Sequence, residues 1–459
     1  MDLLFYLLIF LLVLIVSSTT NKLLPFLPMP LIQILLGIGI GLCLPNNQYH
    51  LDTELFLALV IGPLLFREAQ EADVTSILKH WRIVLYLIFP VIFISALSMG
   101  GVAHVLWASL PLAACVAVGA ALGPTDLVAF ASLSQRFSFP KRVSNILKGE
   151  GLLNDASGLV AFRMALIAWT TGTFSLTQAG TSLAISIVGG FAVGFITALI
   201  NRFLHTFLLS VRATDIASEL LLELSLPLLT FFIAEGIHVS GIIAVVVAGI
   251  LKASRFKKIN LLEAQVDTVT ETVWHTVTFM LNGSVFVILG MELEMIAEPI
   301  LKSAFYNNVL LLITIFLLTF LLFAIRFLMI YGFYAFRIKK LQKSLHKYVK
   351  DMLLLTFSGV KGTVSIATIL LIPSNLEQEY PLLLFLVAGV TLVSFLTGLL
   401  VLPHLSEEQE PSKDHLMHIA ILNDVAMELE KDLEHTKNKV PLYAAIDNYH
   451  GRIENLILS

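Results

Sequence analysis

Charge is scarce in this chain. Of its 459 residues only 14% are Asp, Glu, Lys or Arg, against about 25% in an ordinary soluble domain. A chain so poor in charge and so rich in apolar residues is not disordered. Cysteine is rarer still. Cys43 and Cys115 both sit in apolar stretches, which excludes a disulfide framework and a thiolate metal cluster. No GxxxxGK[ST] phosphate loop occurs, so the chain carries no ATP-driven engine of that kind. The basic residues are dispersed and the net charge is −4, which leaves no electrostatic footprint for nucleic acid. What is abundant is apolar surface: 57% of the residues are hydrophobic. A bilayer span needs roughly 20 mostly apolar residues, and the composition allows a dozen or so. The pattern is that of an all-α polytopic membrane protein.

Hydropathy divides the chain into about thirteen transmembrane segments: Leu3–Val16, Leu24–Leu44, Glu54–Phe66, Trp81–Met99, Trp107–Phe130, Ile146–Trp169, Leu183–Leu209, Ile216–Ile233, Val239–Leu251, Val273–Met295, Val309–Phe336, Met352–Ile372 and Leu382–Leu402. The first has no Lys or Arg ahead of it, unlike a signal peptide, and is read as a retained helix. Alternate connections hold twenty cations on one side and only Lys302 on the other. Lys and Arg concentrate in cytoplasmic loops, so the N-terminus is expected outside and the C-terminus in the cytoplasm. After Pro403 the composition turns polar, with Glu407, Glu408 and Glu410 leading into a helical pattern at Leu416, Ile419 and Leu422. Residues 1–403 are therefore expected to form the membrane domain and 404–459 a short cytoplasmic tail.

Several charges lie inside the spans. Asp126, Glu150, Asp155, Arg163 and Lys361, unpaired at membrane depth, would together cost on the order of 15 kcal/mol. That equals the whole stability of a domain, about 5–15 kcal/mol. They must face a polar interior, and an ion pathway is the default hypothesis. Arg326 is expected to snorkel or pair near the cytoplasmic side. Segment five contains Gly123-Pro124-Thr125-Asp126 and segment twelve Ser358-Gly359-Val360-Lys361-Gly362. Breakers at corresponding positions of two halves point to inverted repeats with two broken, crossing helices. The odd spacing sends the two segments across in opposite directions, as such a repeat requires. Segment six carries Gly149-Glu150-Gly151-Leu152-Leu153-Asn154-Asp155-Ala156-Ser157, with Glu150 and Asn154 on one helix face. A carboxylate there holds a proton or a bare monovalent cation, and competition for it plus alternating exposure is sufficient for antiport.

These motifs resemble the cation:proton antiporter-1 family, the NhaP-like sodium/proton antiporters and their animal relatives. Gly-Pro-Thr-Asp is followed by Gly-Glu-Gly-Leu-Leu-Asn-Asp, with further matches at Gly62-Pro63-Leu64-Leu65-Phe66, His238-Val239-Ser240-Gly241, Ala248-Gly249 and Phe286-Val287-Ile288-Leu289-Gly290. The resemblance covers roughly residues 1–403. It implies that Asp155 carries the ion and the proton, that Thr125 and Asp126 line the site, and that Asn154 supports it. Ser157, one turn on, joins this lining set. The transported cation, Na+ with K+ or Li+ as alternatives, would be held by Asp155 and Asp126. An Asn-Asp pair goes with electroneutral exchange, and the family forms homodimers in the cell membrane. No cofactor and no enzymatic activity are expected. Two departures stand out: Leu127 replaces a family Pro, and Lys361 replaces the Arg of Gly-Leu-Arg-Gly. Lys361 is expected to pair with Glu150 as that Arg does. The competing classes are a cation channel and an intramembrane aspartyl protease built on Asp126 and Asp155; Pro124 occupies the flexible slot of the protease's Gly-x-Gly-Asp motif.

Overall fold

The computed structural model describes residues 2–24, 27, 29–43, 53–72, 74–126, 129–130, 137–173, 176–211, 215–253, 261–302, 306–341, 348–372, 380–408 and 427. Apolar runs become helices because a backbone in lipid must satisfy its own hydrogen bonds. Helix lies over every apolar stretch named above. In chain order the principal helices are α1 (Asp2–Leu23), α2 (Met29–Cys43), α3 (Gly62–Glu71), α4 (Trp81–Leu106), α5 (Leu112–Ala121), α6 (Lys141–Gly151), α7 (Asn154–Thr171) and α8 (Leu176–Ser210). There follow α9 (Ile216–Gly236), α10 (Gly241–Ala253), α11 (Leu261–Lys302), α12 (Asn308–Leu341), α13 (Val349–Phe357), α14 (Thr363–Ile369) and α15 (Tyr380–Leu405). A π-helical turn, Leu57–Ile61, leads into α3, and a second, Leu87–Val91, sits inside α4 at Pro90.

Among the described residues, five helices are long and apolar enough to cross a bilayer: Trp81–Leu106, Gly180–Leu208, Ile216–Gly236, Asn308–Arg337 and Tyr380–Leu405. Several run beyond their hydropathy bounds. α11, with 42 residues, starts twelve before the apolar stretch it contains, since helical hydrogen bonding does not stop where apolar residues do.

Packing is by close approach of small residues. α2 lies against α11 with Gly37 facing Gly290. α4 packs on α5, α5 on α7, α8 on α10 and α10 on α3. Phe191, Phe195, Phe203 and Phe207 of α8, with Phe316 and Phe320 of α12, face outward from the unit, as lipid-facing side chains do. Polar contacts staple the helices elsewhere. Glu223 of α9 accepts from Gln70 (3.1 Å) and Trp274 (3.2 Å) and lies 3.6 Å from Lys252. Glu219 meets His205 at 3.0 Å. Arg163 of α7 reaches Glu235 of α9 at 3.7 Å.

Contacts divide the chain into residues 1–135 with 139–406, and a second unit of 136–138 with 407–459. In the second, strand β1 (Phe137–Ser138) pairs antiparallel with β2 (Glu407–Glu408). The helical pattern expected at Leu416, Ile419 and Leu422, and the Leu127 departure, lie outside the described residues.

Candidate ion-binding site

The site is built where helices stop. α5 ends at Ala121, and its last turn tightens as the amides of Leu122 and Gly123 donate to Val118 O (3.0 Å) and Ala120 O (3.2 Å). Pro124 then offers no backbone donor. Helical bonding resumes at Asp126, whose carbonyl accepts from Phe130 N (3.0 Å) while its Oδ1 accepts from Ala129 N (3.0 Å). Asp126 thus also caps the second half of the segment. The twelfth segment breaks over Ser358–Gly362, between α13 and α14. The two breaks are tied together: Asp126 N donates to Val360 O (3.1 Å), and Lys361 Nζ donates to Gly123 O (2.8 Å) and Pro124 O (2.6 Å). Gly362 is required here, because a Cβ on it would overlap Asp126 Oδ2.

A third break, at Leu152–Leu153, separates α6 from α7; neither residue is a breaker, so hydropathy reads through it. It places Asn154 and Asp155 in the first turn of α7, where unpaired amides give the helix end a partial positive charge. Asn154 Nδ2 donates to Thr125 O (2.8 Å) and Thr125 Oγ1 (2.7 Å), and that hydroxyl donates to Glu150 Oε1 (3.1 Å). Thr125, Asp126, Glu150, Asn154 and Asp155 are thereby brought together, all buried. Ser157 is buried beside them, but its hydroxyl donates to Ile88 O (2.8 Å) and Asn154 O (2.7 Å), so it is directed at backbone.

One expectation is corrected. Glu150 pairs with Arg326, not with Lys361: Nη1 and Nη2 donate to the two carboxylate oxygens at 2.6 and 2.7 Å, and Nε donates to Leu355 O at 2.9 Å. The planar guanidinium fork matches a carboxylate in a way an ammonium cannot. Gly359 leaves room for it, since a Cβ there would meet Arg326 Nε. Arg326 itself is 3% exposed, so it does not snorkel. Its depth was the available signal. It stands well inside the Asn308–Arg337 span, where a charge calls for a partner.

The charges of this cluster do not balance. Asp126, Glu150 and Asp155 are buried with Arg326 and Lys361, three acids against two bases. Arg326 neutralises Glu150. Asp126 and Lys361 are the charged neighbours of Asp155, which leaves a formal charge of −1 around that carboxylate when all are ionised. Asp155 Oδ1 and Asn154 Oδ1 are buried with no hydrogen-bond partner among the described residues. Buried oxygens without donors invite a cation or a proton. Oxygen ligands of this kind suit a hard cation. Such an arrangement has the charge and the open oxygen to accommodate one positive charge.

The sodium/hydrogen exchanger transmembrane family model matches residues 7–406. The chain is 33% identical over 431 residues to the sodium, potassium, lithium and rubidium/H+ antiporter of Bacillus pumilus, a match covering 92% of this chain and 62% of that protein. It is 33% identical over 469 residues to the antiporter of the same name from Bacillus subtilis, covering 99% of this chain and 70% of that one. The fold is similar to that of the sodium proton antiporter MjNhaP1 from Methanocaldococcus jannaschii at pH 8, with a TM-score of 0.62 and 18% identity over 89% of this chain and all of the other. The chain is a multi-pass membrane protein and belongs to the sodium/hydrogen exchanger family.

Proposed function

We propose that the protein is a secondary antiporter that exchanges one monovalent cation for one proton by alternating access, with Asp155 as the shared carrier. The observation that carries this reading is the buried cluster one positive charge short of neutrality, with Asp155 Oδ1 left without a donor among the described residues. Proton and cation are alternative ways of supplying that charge. Neutral in either loaded state, the cluster crosses the low-dielectric barrier cheaply; bare, it does not. This coupling prevents leak.

Asp155 with Asp126 holds the cation, Thr125 and Asn154 line the position, and the Glu150–Arg326 pair fixes Thr125 from behind. Na+ is the first candidate. The names of the two Bacillus relatives also support K+, Li+ and Rb+ as substrates, and carboxylate side chains adjust to ions of different radius. The cation distribution supports an N-terminus outside and a C-terminus in the cytoplasm of a cell-membrane protein, and the family resemblance supports a homodimer.

Proteoliposomes with an imposed pH gradient should dissipate it when Na+ is added outside. Asp155→Asn should reduce that signal at least about a hundredfold, the cation having lost the charge that binds it. An Asp155→Asn protein that exchanges at the normal rate would remove Asp155 from the role.

A further inference from the structure

Lys361 is left with a task of its own once Arg326 takes Glu150. Its side chain is 2% exposed. Two of its three donors go to Gly123 O at 2.8 Å and Pro124 O at 2.6 Å, and its backbone amide is held by Ser394 Oγ at 3.2 Å. The charged groups that face it are Arg326, Glu150, Asp155 and Asp126. Backbone carbonyls at a helix break inside the membrane, beside a carboxylate, are the ligands that broken-helix transporters use for a monovalent cation. Here the occupant is a tethered ammonium, itself a compact monovalent cation.

We propose that Gly123 O, Pro124 O and the adjacent Asp126 carboxylate form a second monovalent-cation position, which the Lys361 ammonium fills, and that Lys361 thereby holds the number of bound cations at one. The proposal rests on the antiport reading above. Neutralising Lys361 turns a cluster of formal charge −1 into one of −2, with two carbonyls released. A second Na+ restores the balance. Arginine keeps both the charge and the donors, so Lys361→Arg keeps the count.

The test is equilibrium binding of radiolabelled Na+ to the purified full chain at alkaline pH, where protons compete least. Wild type should bind about one Na+ per chain and Lys361→Met or Lys361→Gln about two, one for each uncompensated carboxylate. Lys361→Arg should remain at about one, Asp155→Asn should bind almost none, and Asp155→Asn with Lys361→Met should return to about one. Because Na+ replaces the ammonium, thermal stability of the neutral variants should climb with Na+ concentration more steeply than that of wild type. One Na+ in both neutral variants, or two in Lys361→Arg, overturns the proposal. So does a neutral pair that stays unfolded even at saturating Na+, since the position would then not accept the ion. Wild type binding and exchanging one Na+ keeps the antiport reading intact in each of those cases; wild type binding none removes that reading first.

Discussion

At the scale of single residues, the cluster separates into the Glu150–Arg326 ion pair and the acids Asp126 and Asp155 with Lys361 beside them. Arg326 and Glu150 are joined by two short hydrogen bonds with almost no exposure. Removing one partner of such a pair strands the other charge, at about 3–5 kcal/mol. Arg326→Met should therefore lower the thermal unfolding temperature of the purified protein well below that of Arg326→Lys, which keeps the charge. Similar melting of the two variants would show that the pair matters little. The burial of Asp126 and Asp155 in one cluster was legible in the sequence because charges at membrane depth demand a reason, while Thr125 and Asn154 entered through the family resemblance, and the structure sets all four side by side. The partner of Glu150 was not legible. Two cations, at 326 and 361, compete for one carboxylate across 176 and 211 positions of chain, and only the fold decides which guanidinium or ammonium arrives. Ser157 shows the same limit: its place on α7 was readable, whereas the direction of its hydroxyl depends on Ile88 of another helix.

At the scale of elements, the candidate site lies in interruptions. Pro124 and the Ser358–Gly362 break announce themselves through breaker residues, and the structure joins them through Asp126 N and Val360 O. The Leu152–Leu153 break is marked only by Gly149 and Gly151 just before it, inside a run that hydropathy reads as continuous. Two substitutions test these elements. Pro124→Ala frees the backbone at the break and restores a donor there, so the protein should exchange at least tenfold more slowly than wild type. Normal exchange by this variant would detach the break from transport. Gly362→Ala sets a methyl group against Asp126, an overpacking worth about 1–3 kcal/mol. Its initial rates should fall with a raised apparent KM for Na+; an unchanged KM would place Asp126 away from the ion.

At the scale of the whole molecule, the antiport proposal makes the balance of charge set the energetics of transport. A site that is neutral with either a proton or a cation moves no net charge in exchange. Collapsing the membrane voltage with the permeant anion thiocyanate, or leaving it free, should give Na+/H+ exchange rates equal within about 20%, since only a net translocated charge feels the potential. A voltage-accelerated rate would mean that more protons than cations cross. Competition for one carboxylate also fixes the sign of the pH response. Apparent KM for Na+ should rise as pH falls, by up to about tenfold per unit at the acidic end, with maximal rate unchanged, as mass action at a shared site requires.

The most direct measurement is proton release on cation binding by the purified protein in weakly buffered detergent solution. Adding Na+ at a pH where Asp155 is protonated should release close to one proton per Na+ bound, and Asp155→Asn should release almost none, because a shared site exchanges one occupant for the other. Release of protons by Asp155→Asn in the same amount as wild type, or Na+ binding by wild type with no proton released at any pH, would contradict a carboxylate shared by the two ions.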